Sequence, residues 1–276
     1  MATVVPRPRA AAPLAPSPRA IGLVNWIGVW TLYAKEVARF VKVSTQTIWA
    51  PVVTVLLFLA IFSLALGRGD AAVGGLPFDQ FLAPGLVVMA MIQNAFANTS
   101  SSMMISKVQG NIVDVLMPPL SAGELTFGYA VAGATRGVVV GLVTGIVLWL
   151  FVRYPIHDFG LMLFHAVGAS LMLALLGLMG GIWADKFDHI AAVTNFVITP
   201  LSFLSGTFYT IDRLPGSWQL AAHLNPFFYM IDGFRYGATG HADSDPVLGI
   251  VVVIVINVAL WSVCHMMFKR GYKLRF

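Results

Sequence analysis

Long apolar runs separated by short polar intervals organise this sequence, at residues 43–67, 80–106, 125–151, 159–184, 190–211 and 247–268. Each is long enough for a helix that crosses a bilayer, which takes roughly 20 mostly apolar residues. The first run carries no charge. The second turns polar in its lower half, through Gln93, Asn94, Asn98, Thr99 and Ser100 to Ser102, and the third is charged only at Arg136. A further stretch, 214–231, is also uncharged, but Pro215, Gly216, His223 and Asn225-Pro226 interrupt it. Irregular backbone at membrane depth persists only where protein or water satisfies it. This segment is therefore expected to enter and leave as a helical hairpin before the last span. Six crossings put both termini on one side.

Two amphipathic patterns flank these runs. Over 22–42, Trp26, Trp30, Tyr33, Val37, Phe40 and Val41 fall on one helical side, and Lys35, Glu36, Arg39 and Lys42 on the other, the pattern of a helix lying in the membrane interface. Between the second and third spans, 103–124 is the most polar interval in this part of the chain. At about 100° per residue, Ile105, Val108, Ile112, Val115 and Leu116 share one face, and Lys107, Asn111 and Asp114 the other. Pro118-Pro119 ends the helix, because proline lacks a donor and restricts its predecessor. Such a helix suits docking of a partner at the membrane surface, and a solvated helical loop has the same pattern. Residues 1–20, with five prolines and three arginines and no apolar core behind them, read as a disordered tail.

Composition changes the picture from apolar to membrane-embedded. Of 276 residues, 58% are hydrophobic and 11% charged, with a mean hydropathy of +0.82; soluble domains carry roughly 25% charged residues. The excess of 17 Lys+Arg over 12 Asp+Glu does not call for nucleic acid, because its distribution fits membrane orientation. Arg7, Arg9, Arg19, Lys35, Arg39, Lys42, Lys107, Lys186, Lys269, Arg270, Lys273 and Arg275 fall on one side, against Arg68, Arg153, Arg213 and Arg235 on the other. The positive-inside rule then places both termini and 103–124 in the cytoplasm.

Candidate chemistry is sparse. The single Cys264 excludes an internal disulfide framework, and no Cys/His cluster has metal-ligand spacing. A phosphate-binding P-loop needs Gly-x4-Gly-Lys-Ser/Thr, and the chain contains no Gly-Lys pair. His165 and His265 stand alone in spans, as packing residues do. Asp185, Asp188 and His189 cluster on a turn that reads as a solvated helix cap, and Asp243 and Asp245 read as a helix start. Arg136 is the one charge deep in a span, beside Gly133, Gly137, Gly141 and Gly145, a smooth stripe for close helix packing. It either bonds carbonyls structurally or meets an anionic headgroup or a phosphate on a substrate.

The run TPLSFLSGTFYTIDRLPGSWQLAAHLNPFFYMIDGFRYG, 199–237, resembles the signature of type-2 ABC exporter permeases, which include those exporting O-antigen, capsular polysaccharide and nodulation factor. The matching features are Pro200, Ser205-Gly206-Thr207-Phe208-Tyr209, Leu214-Pro215 with Trp218, Asn225-Pro226 with Tyr229, and Arg235-Tyr236-Gly237. Asn111-Ile112 through Pro118, and Arg136-Gly137, match as well. The resemblance covers about residues 26–276. It implies an all-α integral membrane protein with six transmembrane helices, an N-terminal interfacial helix (Trp26, Trp30, Tyr33, Lys35, Arg39), a cytoplasmic coupling helix and a re-entrant hairpin, all in one domain over 21–276.

It further implies a permease that pairs with a second copy and binds separate ABC ATPase subunits, with ATP-Mg held there and no cofactor in this chain. Lys107, Asn111, Asp114, Val115, Leu116, Met117 and Pro118 correspond to the coupling element. Arg136, Asn225, Pro226, Tyr229 and Arg235 are candidates for the translocation path. The expected setting is the bacterial inner membrane, and the cargo a glycan, lipid or hydrophobic compound. The alternatives are an ATP-independent channel and a membrane-embedded enzyme on lipid-linked sugars, which would need paired acids or histidines.

Overall fold

The computed structural model describes residues 22–66, 72–73 and 75–274. The expected tail at 1–20 and the Arg68 and Arg275 positions lie outside the described residues.

Among the described residues six helices are long and apolar enough to cross a membrane, at the six places where the runs put them. An amphipathic helix, α1 (Trp26–Lys42), precedes the first, α2 (Ala50–Leu66). A short antiparallel ladder of β1 (Ala72–Val73) and β2 (Leu76–Pro77) leads into α3 (Phe78–Val108), and α4 (Ile112–Leu116) separates this from α5 (Ala122–Val152). Then follow α6 (Phe159–Trp183) and a fifth span built from α7 (Phe187–Val193), a π turn at Thr194–Ile198 and α8 (Thr199–Leu204). Two shorter helices, α9 (Gly216–Leu224) and α10 (Pro226–Thr239), precede α11 (Pro246–Arg270). The break between them falls at Asn225-Pro226, where the sequence places it. Neither is long enough to count among the spans.

The centre is α3, of whose most apolar window 83% is buried, against 17% for the first span and 11% for the fifth. Close approach of backbones makes this possible. A Cβ at Gly137 of α5 would lie 2.7 Å from Ser170 Oγ and 3.0 Å from the Ala95 Cβ, and Gly133 meets Thr99 and Ala174. Of the four-residue glycine stripe, Gly145 has no such tight neighbour. A second glycine contact, absent from the sequence reading, joins α6 to α3: Gly177 lies against the Phe96 backbone and Gly181 against that of Ser100. Thr99 Oγ1 crosses the same seam to the Ala174 carbonyl at 2.7 Å, satisfying a polar group where lipid offers no partner.

Helix ends follow local rules. Ser121 and Glu124 form a reciprocal capping box at the start of α5, Asp158 caps α6 and Asp245 caps α11. Asp243 does not share the last role. Its backbone N–H donates to Asp232, and its carboxylate accepts from the Ile211 N–H and sits 3.1 Å from His241 Nε2.

Candidate functional site

Residues 103–124 are not one amphipathic helix. The helix from the second span continues to Val108, and Gly110, at φ +75°, turns the chain before α4 begins. Only five residues then remain helical before Pro118-Pro119. The two pieces have different faces. Ile112 and Val115 root α4 in the bundle beside Leu125, Tyr129 and Ile182. Val113, Asp114, Leu116, Met117 and Pro118 project outward with Asn111.

Three expectations change accordingly. Lys107 is not an outward residue: its Nζ donates to the Ile182 and Ala184 carbonyls, covering the C-terminal end of α6, and lies 3.8 Å from Asp185. A lysine there meets carbonyls that helix geometry leaves unbonded. Val115, expected at the apolar tip, is buried in the chain itself, and Val113 takes its place on the exposed side. Asp185 does not act as a cap. Its carboxylate pairs with Lys273 at 2.7 Å, fastening the end of the chain to the turn after α6, and that hydrogen bond holds its pKa below the usual carboxylate range.

The base of α5 and the start of α1 are clipped together. Glu124 accepts hydrogen bonds from the backbone N–H of both Ser121 and Asn25, and Asn25 Nδ2 donates to the Pro119 carbonyl. The α1 helix then packs on α5 through Val29, Leu32 and Phe40, leaving Trp26 and Trp30 two-thirds exposed. Exposed tryptophans on an amphipathic helix suit the headgroup level. Tyr33 approaches Thr135 Oγ1 at 3.3 Å. Glu36 departs from the expected polar side. It is fully buried and paired with Arg39 at 3.1 Å, while Lys35 reaches it from the surface at 3.6 Å.

Arg39 belongs to a second feature, a cleft of about 560 Å³ between the α1–α2 junction, α3 and α5. Its floor is one stripe of α3, Gln93, Ala97 and Ser101 at four-residue spacing, with Asn94 alongside. Its opposite wall is mixed, with Val43, Ala50, Pro51 and Val55 alternating with Gln46, Thr47 and Thr54, and Met89 adds an apolar contact from α3. Arg136 enters from α5 and donates from Nη2 to Asn94 Oδ1 at 3.0 Å. Arg39 donates to the Asn98 carbonyl, Asn98 Oδ1 and Ser101 Oγ. The same α3 stripe lines a smaller cleft of about 380 Å³ on its other flank, closed by Ile190, Thr194, Ile198 and Thr199 of the fifth span.

The two spans beside this stripe share an irregularity. Each has a π turn, Thr45–Trp49 or Thr194–Ile198, directly before a helix whose second residue is proline, Pro51 or Pro200. A proline lacks the N–H that would bond back into the preceding turn, and single π turns frequently mark functional sites in helices. Pro51 inside the first apolar run is the sequence signal that points to it.

The remaining path candidates are held within the fold. Asn225 caps α10 and sends Nδ2 to the Leu201 carbonyl at 2.7 Å, with Pro226 as first helical residue. Tyr229 packs against Phe228. Arg235 is wholly enclosed, bonded to the Gly206 carbonyl at 2.6 Å, 3.9 Å from Asp232 and stacked on Phe81. Asn225 and Arg235 thus have almost no open surface, because the first serves the Leu201 carbonyl of α8 and the second the Gly206 carbonyl of the turn that follows.

Among the described residues no group of three His, Cys, Asp or Glu side chains has the arrangement of a metal site. His165 is buried with Nδ1 2.9 Å from the Leu161 carbonyl.

The chain is 37% identical over 250 residues to the inner membrane transport permease YadH of Escherichia coli (strain K12), covering 91% of this chain and 98% of that protein. It is 27% identical over 228 residues to Nodulation protein J of Rhizobium leguminosarum bv. trifolii, covering 80% and 83%. Nodulation protein J of Rhizobium leguminosarum bv. viciae matches at 24% over 258 residues, covering 90% and 95%. Residues 28–238 match the family described as ABC-2 type transporter, and this span takes in α4, the cleft and all but the last residue of the α9–α10 pair: the chain is a multi-pass membrane permease of the ABC-2 transporter family.

Proposed function

We propose that this chain is the membrane subunit of an ATP-driven exporter, working as a pair of copies with separate ABC ATPases that dock at α4. The observation that carries this reading is the division of α4 into a rooted face and a projecting one. Ile112 is fully buried, while Met117 is 76% and Val113 50% exposed at the foot of α3. Short docking helices draw affinity from a few desolvated apolar anchors, and Asp114 and Asn111 supply orientation. A push on α4 reaches α3 across the Gly110 turn and α5 through the short Pro118–Ser121 link, and the Glu124 clip passes it on to α1. The cation count supports a cytoplasmic position for α4 and both termini, in the bacterial inner membrane.

ATP-Mg belongs to the partner in this scheme, consistent with a chain that has no Gly-Lys pair. The peripheral first and fifth spans are the surfaces on which a second copy would pack, with the α3 stripe facing the dimer axis as the path. The resemblance carried by the 199–237 run favours a glycan, lipid or hydrophobic compound as cargo.

Co-purification with the cognate ATPase tests the reading. Leu116→Asp or Met117→Asp should leave an inserted permease with wild-type thermal stability that no longer retains or stimulates the ATPase. Full retention in both would exclude α4 as the dock.

A further inference from the structure

The cleft between α2, α3 and α5 contains two guanidinium groups and they are not equivalent. Arg39 is compensated: Glu36 pairs with its Nε, and its other nitrogens bond to Asn98 and Ser101. Arg136 has one hydrogen bond, to a neutral amide, and its buried Nε has no partner. Among the described residues no carboxylate pairs with it. The nearest full charge on the cleft wall is another cation. A guanidinium left in this state within an apolar bundle is costly unless an anion completes it, and its planar fork matches the oxygens of a phosphate.

We propose that this cleft takes the phosphate group of an amphipathic molecule, with Arg136 as its counter-charge, Gln93 and Asn94 bonding its oxygens, and Val55 and Met89 giving apolar contact to its chain on a wall that Gln46, Thr47 and Thr54 make partly polar. The inference rests on the transport reading above and names the chemical class of cargo. Depth separates cargo from ordinary boundary lipid. Arg136 lies near the middle of α5, roughly 20 Å along the helix from its start, whereas a resting phospholipid keeps its headgroup at the surface.

The full-length permease with its ATPase is reconstituted in nanodiscs of equal phosphatidylglycerol and phosphatidylcholine, then extracted, and the retained lipid is measured by native mass spectrometry. Wild type should retain the anionic lipid about tenfold or more over the zwitterionic one, the discrimination expected of a charged hydrogen-bonded contact. Arg136→Lys should keep a preference and Arg136→Gln lose it. Gln93→Glu leaves the guanidinium in place but supplies an internal carboxylate, and should lose the preference too.

Competition by millimolar inorganic phosphate would assign the site to soluble phosphorylated cargo. Retention that resists phosphate but still depends on residue 136 would assign it to a lipid. Equal retention of both lipids by wild type, or a preference unchanged in Arg136→Gln and Gln93→Glu, would overturn the proposal. ATPase recruitment is read in the same wild-type preparation: recruitment without selective retention would leave the exporter reading standing and remove this inference alone.

Discussion

Arg235 and Arg136 both stand in helices of mainly apolar residues with glycines close by, Gly233 and Gly237 for the first and Gly137 for the second, and they end in opposite environments. Arg235 has an acid one helical turn away, a carbonyl from a distant turn, and an aromatic ring under its plane. Its Nε and Nη1 make no hydrogen bond, and the Phe81 face and the Asp232 carboxylate compensate them instead. Arg136 has neither acid nor ring, and it lines an open cleft. Depth alone therefore does not mark a functional charge in a membrane bundle. What marks it is whether the chain supplies the compensating groups.

The comparison can be broken most directly at Arg235. Arg235→Met leaves Asp232 buried without its counter-charge, and a loss of about 3–5 kcal/mol is expected, read as poor yield and a collapsed melting transition in detergent. Replacing Asp232 by Asn in the same protein should recover part of it. An Arg235→Met permease that melts normally but fails in transport would reverse the roles assigned to the two arginines.

Gly177→Val gives the scale for a purely steric failure, because the added atoms meet the Phe96 backbone and Thr99. Overpacking of this kind costs about 1–3 kcal/mol, and differential scanning of the purified chain should show it without any change in charge.

Arg39 lies between the extremes, since it lines the cleft yet is paired. Arg39→Gln should lower stability by about 1.5–3 kcal/mol through loss of a charged hydrogen bond. Arg136→Gln, by contrast, should change stability by less than about 1 kcal/mol while transport falls. Equal losses of stability in the two variants would erase the distinction between a compensated and a waiting cation.

The smallest effect is expected at Asp185→Asn, which opens the exposed Lys273 contact. The carboxyl pKa is lowered in the fold by that lysine. Its contribution is thus present above the ordinary carboxylate pKa and fades as pH falls through the lowered folded value. Melting curves of wild type and variant should differ slightly at neutral pH and converge in acid.

How far the site was legible depends on whether a residue's partner is near in sequence. The Asn225-Pro226 break and the proline end of α4 follow from backbone chemistry within a few residues. Ser121-x-x-Glu124 carries a capping signature as plain, but nothing local points to its further bond with Asn25. Lys107 and Glu36 were misplaced for one shared reason. Helical periodicity assigns a charged residue to the solvent side, but each of these lies where another helix end or another charge, out of reach of any local pattern, makes burial favourable.

The sequence by itself determined the membrane class, the number and places of the spans, the broken segment before the last one and the family. These rest on transfer free energies and backbone restrictions that accumulate residue by residue along a segment. Tertiary structure alone decided which polar groups are spent on holding the bundle and which remain open. Arg39 finds Asn98, Lys107 finds Ala184 and Asn225 finds Leu201, while Arg136 finds only a neutral amide. Hydrogen bonds are short-ranged and directional, so their outcome depends on three-dimensional placement that no one-dimensional pattern contains.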